Sequence, residues 1–217
     1  MCYATRRLLE LFSGTGSVGR PFKVAGWEVT SVDNDPKAVA SIRCDILDWD
    51  YRVYDEGYFD VVHASPPCTQ YSKARTVGGP RDLEGADKLA MKALEIIDYF
   101  KPKFWFVENP DGLLRTRGFM AKLPFVVVDY CMYGMPYRKR TCIWTNTNLS
   151  TRRCDRRCGA WARTTRGATV RGRHAKTAQQ GRRGVDDVGN QFTRAQLYSM
   201  PAGLCEDMLA AVSSGGL

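Results

Sequence analysis

The chain has 217 residues, 44% of them apolar, which is enough for one well-buried domain and excludes disorder throughout. The formal net charge of +9 is concentrated: positions 151–184 hold eleven Lys and Arg against one acid, Asp155, the pattern of a nucleic-acid contact or a solvated arm. Eight scattered cysteines, a start (MCYATRRLLELF) without a secretory core, and no run near the roughly 18 apolar residues of a membrane span make a disulfide framework or a membrane anchor poor explanations; the expectation is a soluble, unprocessed, cytoplasmic chain.

In chain order, Leu8 to Phe12 predict a first strand closing on Ser-Gly-Thr-Gly-Ser-Val-Gly, followed by a helix-compatible stretch to about Ala25. Trp27 to Val32 predict a second strand ending at Asp33, a β-loop-α-β start. Asp35 as N-cap and Pro36 in the first turn predict a second helix over 36–43. Asp45-Ile46-Leu47 mark a further strand end or loop, and Phe59 to Ala64 predict the strand before Cys68. The clearest helix runs from Asp82 to Phe100, with Leu83, Ala86, Leu89, Ala90, Ala93, Leu94 and Ile97 at helical spacing. Phe104 to Val107, Phe125 to Tyr130 and Thr141 to Thr145 predict three more strands. Strands alternating with helices imply an α/β fold with a mostly parallel central sheet. After Thr145 about 45 residues rich in Arg, Gly, Thr and Cys show little apolar periodicity. The expected organisation is a main domain over 1–146, a small basic insert over 147–190, and a C-terminal segment over 191–217, including a helix from Leu204 to Val212, that packs back on the main domain.

Two features of this layout carry chemistry. Gly14-x-Gly16-x-x-Gly19 follows a strand, precedes a helix and lies nineteen residues ahead of Asp33. Missing side chains let such a backbone turn tightly against a ligand, while an acid after the second strand accepts hydrogen bonds from ribose hydroxyls. Dinucleotides and S-adenosylmethionine share this geometry. The second feature is a pair: Cys68 in Ser65-Pro66-Pro67-Cys68-Thr69-Gln70-Tyr71-Ser72, and Glu108-Asn109-Pro110 forty residues later, each after an apolar run. A thiol and a carboxyl at the ends of two parallel strands face one crevice, where open α/β sheets bind ligands.

Taken in order, LLELFSGTGSVG, SVDNDPKA, CDILDW, FDVVHASPPCTQYS, FWFVENP and YGMPYRKRTCIW resemble the successive motifs of the C5-cytosine DNA methyltransferases over about residues 8 to 146, and SMPAGLCEDML resembles the last motif. The resemblance implies a Rossmann-like S-adenosylmethionine-dependent methyltransferase fold and a DNA (cytosine-5-)-methyltransferase activity on a flipped-out cytosine. It implies Phe12, Gly14, Gly16, Asp33, Asn34, Asp45, Ile46 and Pro67 as contacts to S-adenosylmethionine. It implies Cys68 as the nucleophile that adds to C6, Glu108 as the group that hydrogen-bonds or protonates N3 from a dry pocket, and Arg138 and Arg140 as holders of the base carbonyl and adjoining phosphate. Ser65, Pro66, Ser72, Asn109 and Pro110 would shape the substrate pocket. Thr69 and Tyr137 stand where the family has glutamines. Ser65-Pro66-Pro67 also echoes the loop of N4-cytosine and N6-adenine methyltransferases, which use no covalent step, and a non-catalytic DNA-binding module on the same fold is the non-enzyme alternative.

The interval 147–190 corresponds to the family's target-recognition region and is unusually short. Within it Cys154-x3-Cys158 and His174 offer three ligands for Zn²⁺, with Cys142 or Asp155 as candidates for a fourth. Otherwise the segment is expected to be a flexible arm whose arginines contact DNA phosphates, with Trp161 either packed or stacked on a base.

Overall fold

A computed structural model describes residues 5–75, 79–166, 169–174, 176–178 and 192–215; the distal part of the expected insert, 179–190, lies outside the described residues. The first strand, β1 (Arg7–Leu11), is followed by the glycine turn, a short helix α1 (Gly19–Val24) and β2 (Glu28–Val32). β3 (Val61–Ala64), the long helix α2 (Leu83–Phe100) and β4 (Phe104–Pro110) come next. β5 (Phe125–Asp129), β6 (Tyr137–Arg138) and β7 (Arg140–Thr145) complete the main domain. The order in the six-stranded sheet is β2-β1-β3-β4-β7-β5, with parallel pairing from β2 to β4 and β7 antiparallel to both its neighbours. This is the mostly parallel α/β sheet expected.

Strand alternation explains the two-sided core. Leu9, Leu11, Val62 and Ala64 face α2, whose Ala86, Ala90, Ala93, Ile97 and Phe100 fill one face of the sheet. Their sequence neighbours Leu8 and Val61 face the other way, onto Val18 and Phe22 and onto Leu204, Met208 and Val212 of the terminal helix α4 (Ala202–Ser214), because successive side chains on a strand point to opposite faces. α2 starts where Asp82 accepts a hydrogen bond from Gly85 N (2.8 Å) and ends at Lys101, which adopts the left-handed conformation of a C-cap (φ 48°).

Two expectations are corrected. Residues 36–43 form no helix. Asp35 turns its carboxylate onto Lys37 N (2.9 Å) instead of the N–H groups of a helical turn, and the chain is stitched sideways: Val39 N donates to Gly14 O (2.7 Å), Ser41 N to Ser31 O (3.0 Å), and Ile42 bridges Val32. Local side-chain hydrogen bonds of Asp compete with helix in this way. The basic insert is also more regular than its sequence suggests: β8 (Trp161–Arg166) and β9 (Thr169–His174) form an antiparallel hairpin, and β10 (Lys176–Thr177) pairs in parallel with β6. A further short helix, α3 (Arg194–Tyr198), opens with a capping box between Thr193 and Gln196. No helix among the described residues is long and apolar enough to cross a membrane.

Candidate active site

The glycine turn is built by three residues with positive φ: Phe12 (56°), Gly14 (47°) and Gly16 (64°). A side chain at Gly16 would meet Val39 at 3.1 Å, so the returning 36–43 segment leaves room only for backbone there. Phe12 is not a glycine, and its left-handed backbone costs of order 1 kcal/mol or more, as strained residues at ligand sites do. Asp33, at the end of β2, accepts Gly14 N (2.8 Å) on one oxygen and Asp35 N (2.8 Å) on the other, and each oxygen keeps a lone pair for a hydroxyl. Behind the turn, Glu10 is buried and accepts from Val18 N (3.3 Å) and Gly19 N (3.1 Å). Burial raises its pKa from 4.5 to about 7 despite those two N–H groups.

Register brings the second half of the site to the same end of the sheet. β3 and β4 are adjacent and parallel, with Ala64 opposite Val107, so the chain leaves β3 toward Cys68 where β4 presents Glu108. One cleft is lined by the glycine turn, Asp33, Asn34, Ser65, Pro66, Pro67, Cys68, Glu108 and Pro110. The loop bearing Cys68 is held from several sides: Tyr71 N and Ser72 N donate to Cys68 O (3.0 and 2.8 Å), Leu113 N to Tyr71 O (2.9 Å), and Arg81 to the carbonyls of Gln70 and Ser72. Asn109 is fully buried and donates to Pro66 O (2.8 Å); it ties β4 to the cysteine loop rather than lining the cleft. Ser72 serves the same loop. Glu108 is 7% exposed and accepts a hydrogen bond from Tyr130 Oη (3.0 Å). The Cys68 thiol is pushed up from its ordinary value, first by burial and further by the Glu108 carboxylate, while Lys139 pulls it down.

Lys139 marks a correction. Arg138 and Arg140 do not line the cleft; both bind Asp129, at 2.8 and 3.4 Å, on the other side of the strand. Asp129 is fully buried, and Arg153 (3.6 Å) and Cys154 N (3.0 Å) approach it as well. Burial would raise its pKa, but Arg138, Cys154 N and Arg140 outweigh burial and hold it below the usual value. With a side-chain period of two, arginines two apart share one face and Lys139 takes the other, beside Cys68. Asp45 touches the site through Asn34 Nδ2 (3.4 Å), and Ile46 is a core residue at 5% exposure, so this dipeptide reaches the rim and not the lining.

Sequence reasoning missed Lys139, Glu10, His63, Tyr198 and Met200, all of which line the cleft. His63 is the one with a legible signal, a lone polar residue in the apolar run Val61–Ala64. It is buried with neither ring nitrogen hydrogen-bonded, and burial lowers its pKa to about 3, so it is neutral. Tyr198 and Met200 arrive from a remote segment docked by Tyr137 Oη and Lys139 Nζ on the carbonyls of Gln196 and Leu197 (3.0 and 3.2 Å).

The sequence profile of the C-5 cytosine-specific DNA methylases matches residues 6–122, a stretch containing both the glycine turn and the Cys68 and Glu108 motifs. The chain belongs to this family. It is 42% identical over 154 residues to a "Probable DNA (cytosine-5)-methyltransferase" of Frog virus 3, covering 64% of this chain and 70% of that one. It is 27% identical over 164 residues to the type II methyltransferase M.AgeI of Thalassovita gelatinovora, covering 62% of this chain but 38% of that enzyme. A solved structure described as a "putative DNA modification methyltransferase" encoded within an E. coli prophage superposes with a TM-score of 0.51 at 18% identity, over 65% of this chain and 46% of that one, which extends the likeness to the fold. The methylase chain thus spans well under half of the length of the bacterial relative. The matched profile ends before Lys139, and the placing of Lys139 at the cleft, with Arg138 and Arg140 turned away, is read from the geometry.

The methylase also gathers the expected metal ligands. Cys154, Cys158 and His174 meet, and the fourth member of the group is Cys131, with one ligand atom from each lying within 4.8 Å of the others. Cys142 and Asp155 are elsewhere: Cys142 is buried in β7 near Asp111, and Asp155 accepts from Arg157 N (3.0 Å). Trp161 packs edge-on against His174 (5.1 Å between ring centroids).

Proposed function

We propose that this methylase transfers a methyl group from S-adenosylmethionine to C5 of a cytosine swung out of DNA, through a covalent bond between Cys68 Sγ and C6. The observation that carries the reading is the single cleft in which Cys68 and Glu108, delivered by neighbouring parallel strands, lie next to the glycine turn and Asp33. The cofactor supplies an electrophilic methyl group on a sulfonium centre. The residues present suit it: Gly14 and Gly16 expose backbone, Val39 fixes that backbone against Gly16, and Asp33 offers free lone pairs to a ribose. Phe12, Asn34 and Pro67 complete that end of the cleft.

The chain's own groups account for the ring chemistry. C5 of cytosine is too electron-poor to be methylated directly. As the Cys68 thiolate forms a bond to C6, the C5=C6 electron pair is released into the ring, and Glu108 places a proton or hydrogen bond at N3 to receive the charge. Tyr130, donating to Glu108, fixes which oxygen faces the base. Lys139 supplies the positive field that favours thiolate over thiol. Once C5 carries the methyl group, a water molecule takes the C5 proton, the C5–H electron pair restores the double bond, and Cys68 leaves as thiolate. Ser65, Pro66 and Pro110 wall the pocket, which a duplex-stacked base could not enter. The arginine-rich hairpin binds DNA phosphates, in a salt-dependent manner. The setting is the DNA-containing interior of a cell, whether nucleoid, cytoplasm or infected host.

Incubation with tritiated S-adenosylmethionine and DNA, followed by bisulfite sequencing, reports base and context together. DNA containing 5-fluorocytosine should trap a covalent complex with the native chain and none with Cys68→Ala. Methyl incorporation into adenine or at cytosine N4 that survives Cys68→Ala would replace this reading with amino methylation; DNA retention with no methyl transfer would replace it with a binding module.

A further inference from the structure

We propose that Cys131, Cys154, Cys158 and His174 form a closed, structural Zn²⁺ site that clamps the basic hairpin to the methyltransferase sheet. The four donors come from three separate places. Cys131 lies in a single helical turn (Tyr130–Tyr133) directly after β5, Cys154 and Cys158 in the loop before β8, and His174 at the end of β9. Cys154 Sγ is 3.5 Å from Cys158 Sγ and 3.5 Å from His174 Nε2, and Cys158 Sγ is 3.2 Å from the same nitrogen. A tetrahedron with Zn–S of about 2.3 Å and Zn–N of about 2.0 Å has S···S edges of about 3.8 Å and S···N edges of about 3.5 Å. These three edges equal that cage or fall within about 0.3 Å of it, are far too long for a disulfide of about 2.0 Å, and the cysteines are free.

The surroundings are those of a metal centre held for structure. Four protein ligands leave no open position for a water, the mark of structural rather than catalytic zinc. Three thiolates and one neutral imidazole leave a zinc complex with a net charge of about −1, and Arg138 lies near enough to Cys131 and Cys154 to interact with both electrostatically. Cys154 N donates to Asp129 Oδ2 (3.0 Å), Asp129 N donates to Arg152 O (3.1 Å), and Trp161 packs on His174 and against the backbone of Gly172. These contacts orient the ligands as outer partners do. The insert has few apolar residues to bury, and metal binding can supply the folding free energy that a core would otherwise provide. The clamp also explains why Arg138 and Arg140 are turned away from the cleft: with Asp129 they form the polar bed on which the metal loop rests.

This inference stands apart from the methyl-transfer reading, because its measurement is metal content. The full chain, purified without chelator and analysed by inductively coupled plasma mass spectrometry, should carry one zinc per molecule. Cys131→Ser should lose most of it, whereas Cys142→Ser, at the cysteine outside the cluster, should keep it. Because Cys131→Ser could fail to fold, the native chain reconstituted with Co²⁺ gives a second readout: intense visible bands of tetrahedral cobalt with thiolate charge transfer support the site. A weak octahedral spectrum, a zinc-free native chain, equal zinc in Cys131→Ser, or a Cys154–Cys158 disulfide in freshly isolated protein would each overturn it.

Discussion

Glu10 lends itself to a quantitative test, because a buried carboxyl behind the glycine turn makes the stability of the protein depend on pH in a known direction. Its pKa rises from 4.5 to about 7 on folding, with burial as the main cause and the N–H groups of Gly19 and Val18 opposing it. The folded state therefore holds the proton more tightly than the unfolded chain. Below pH 4.5 both states are protonated and the contribution is fully present; as pH climbs through the window to about 7 the unfolded chain ionises first and stability falls. At about 1.4 kcal/mol for each tenfold change in proton affinity, the loss across the window amounts to about 3 kcal/mol. Urea unfolding of the native chain and of Glu10→Gln at a series of pH values isolates this group, since the amide cannot ionise. The native chain minus the variant should lose about 3 kcal/mol between pH 4.5 and 7 and then level off. A difference that stays flat or grows with pH would show that Glu10 is not buried as described.

Other consequences can be checked alongside. Lys139→Met should slow alkylation of Cys68 by iodoacetamide and move its pH profile upward, since the ammonium is the group that lowers the thiol's pKa; Arg140→Met, on the opposite face, should leave that profile in place. The same profile in the native chain should already lie above that of free cysteine, as burial dictates. Arg138→Met should instead cost stability, about 1–3 kcal/mol, because it removes the 2.8 Å partner of a fully buried carboxylate while Arg140 and Arg153 remain. Gly16→Ala should weaken S-adenosylhomocysteine binding by calorimetry while costing about 1 kcal/mol in folding, because a Cβ there meets Val39 at a backbone φ of 64°.

Much of the candidate site was legible because it depends on short-range patterns. A glycine turn after an apolar run, an acid after the next strand, and a cysteine and a glutamate each after further apolar runs are each written within a few residues of the strand that carries them. The parallel direction of β3 and β4 follows from the alternation of elements, and that shared direction brings Cys68 and Glu108 to one end of the sheet, where the structure makes the two strands neighbours. Where local rules failed, longer-range contacts had overruled them. Asp35-Pro36 reads as a helix start, yet hydrogen bonds donated to the carbonyls of Ser31 and Gly14 hold 36–43 as a loop over the glycine turn.

The sequence by itself supplied the candidates for the proposed chemistry, Cys68 as nucleophile, Glu108 as its acid and the glycine turn for the cofactor, and placed the excess charge in one insert. Only the tertiary structure decided which face of the Tyr137–Thr141 segment meets the cleft, and that Cys131 completes a set with Cys154, Cys158 and His174. A strand's alternation is blind to which side is inward until a buried partner such as Asp129 claims one set of side chains. Cysteine and histidine side chains 43 residues apart in the chain can be matched only once the sheet has brought the end of β5 beside the hairpin.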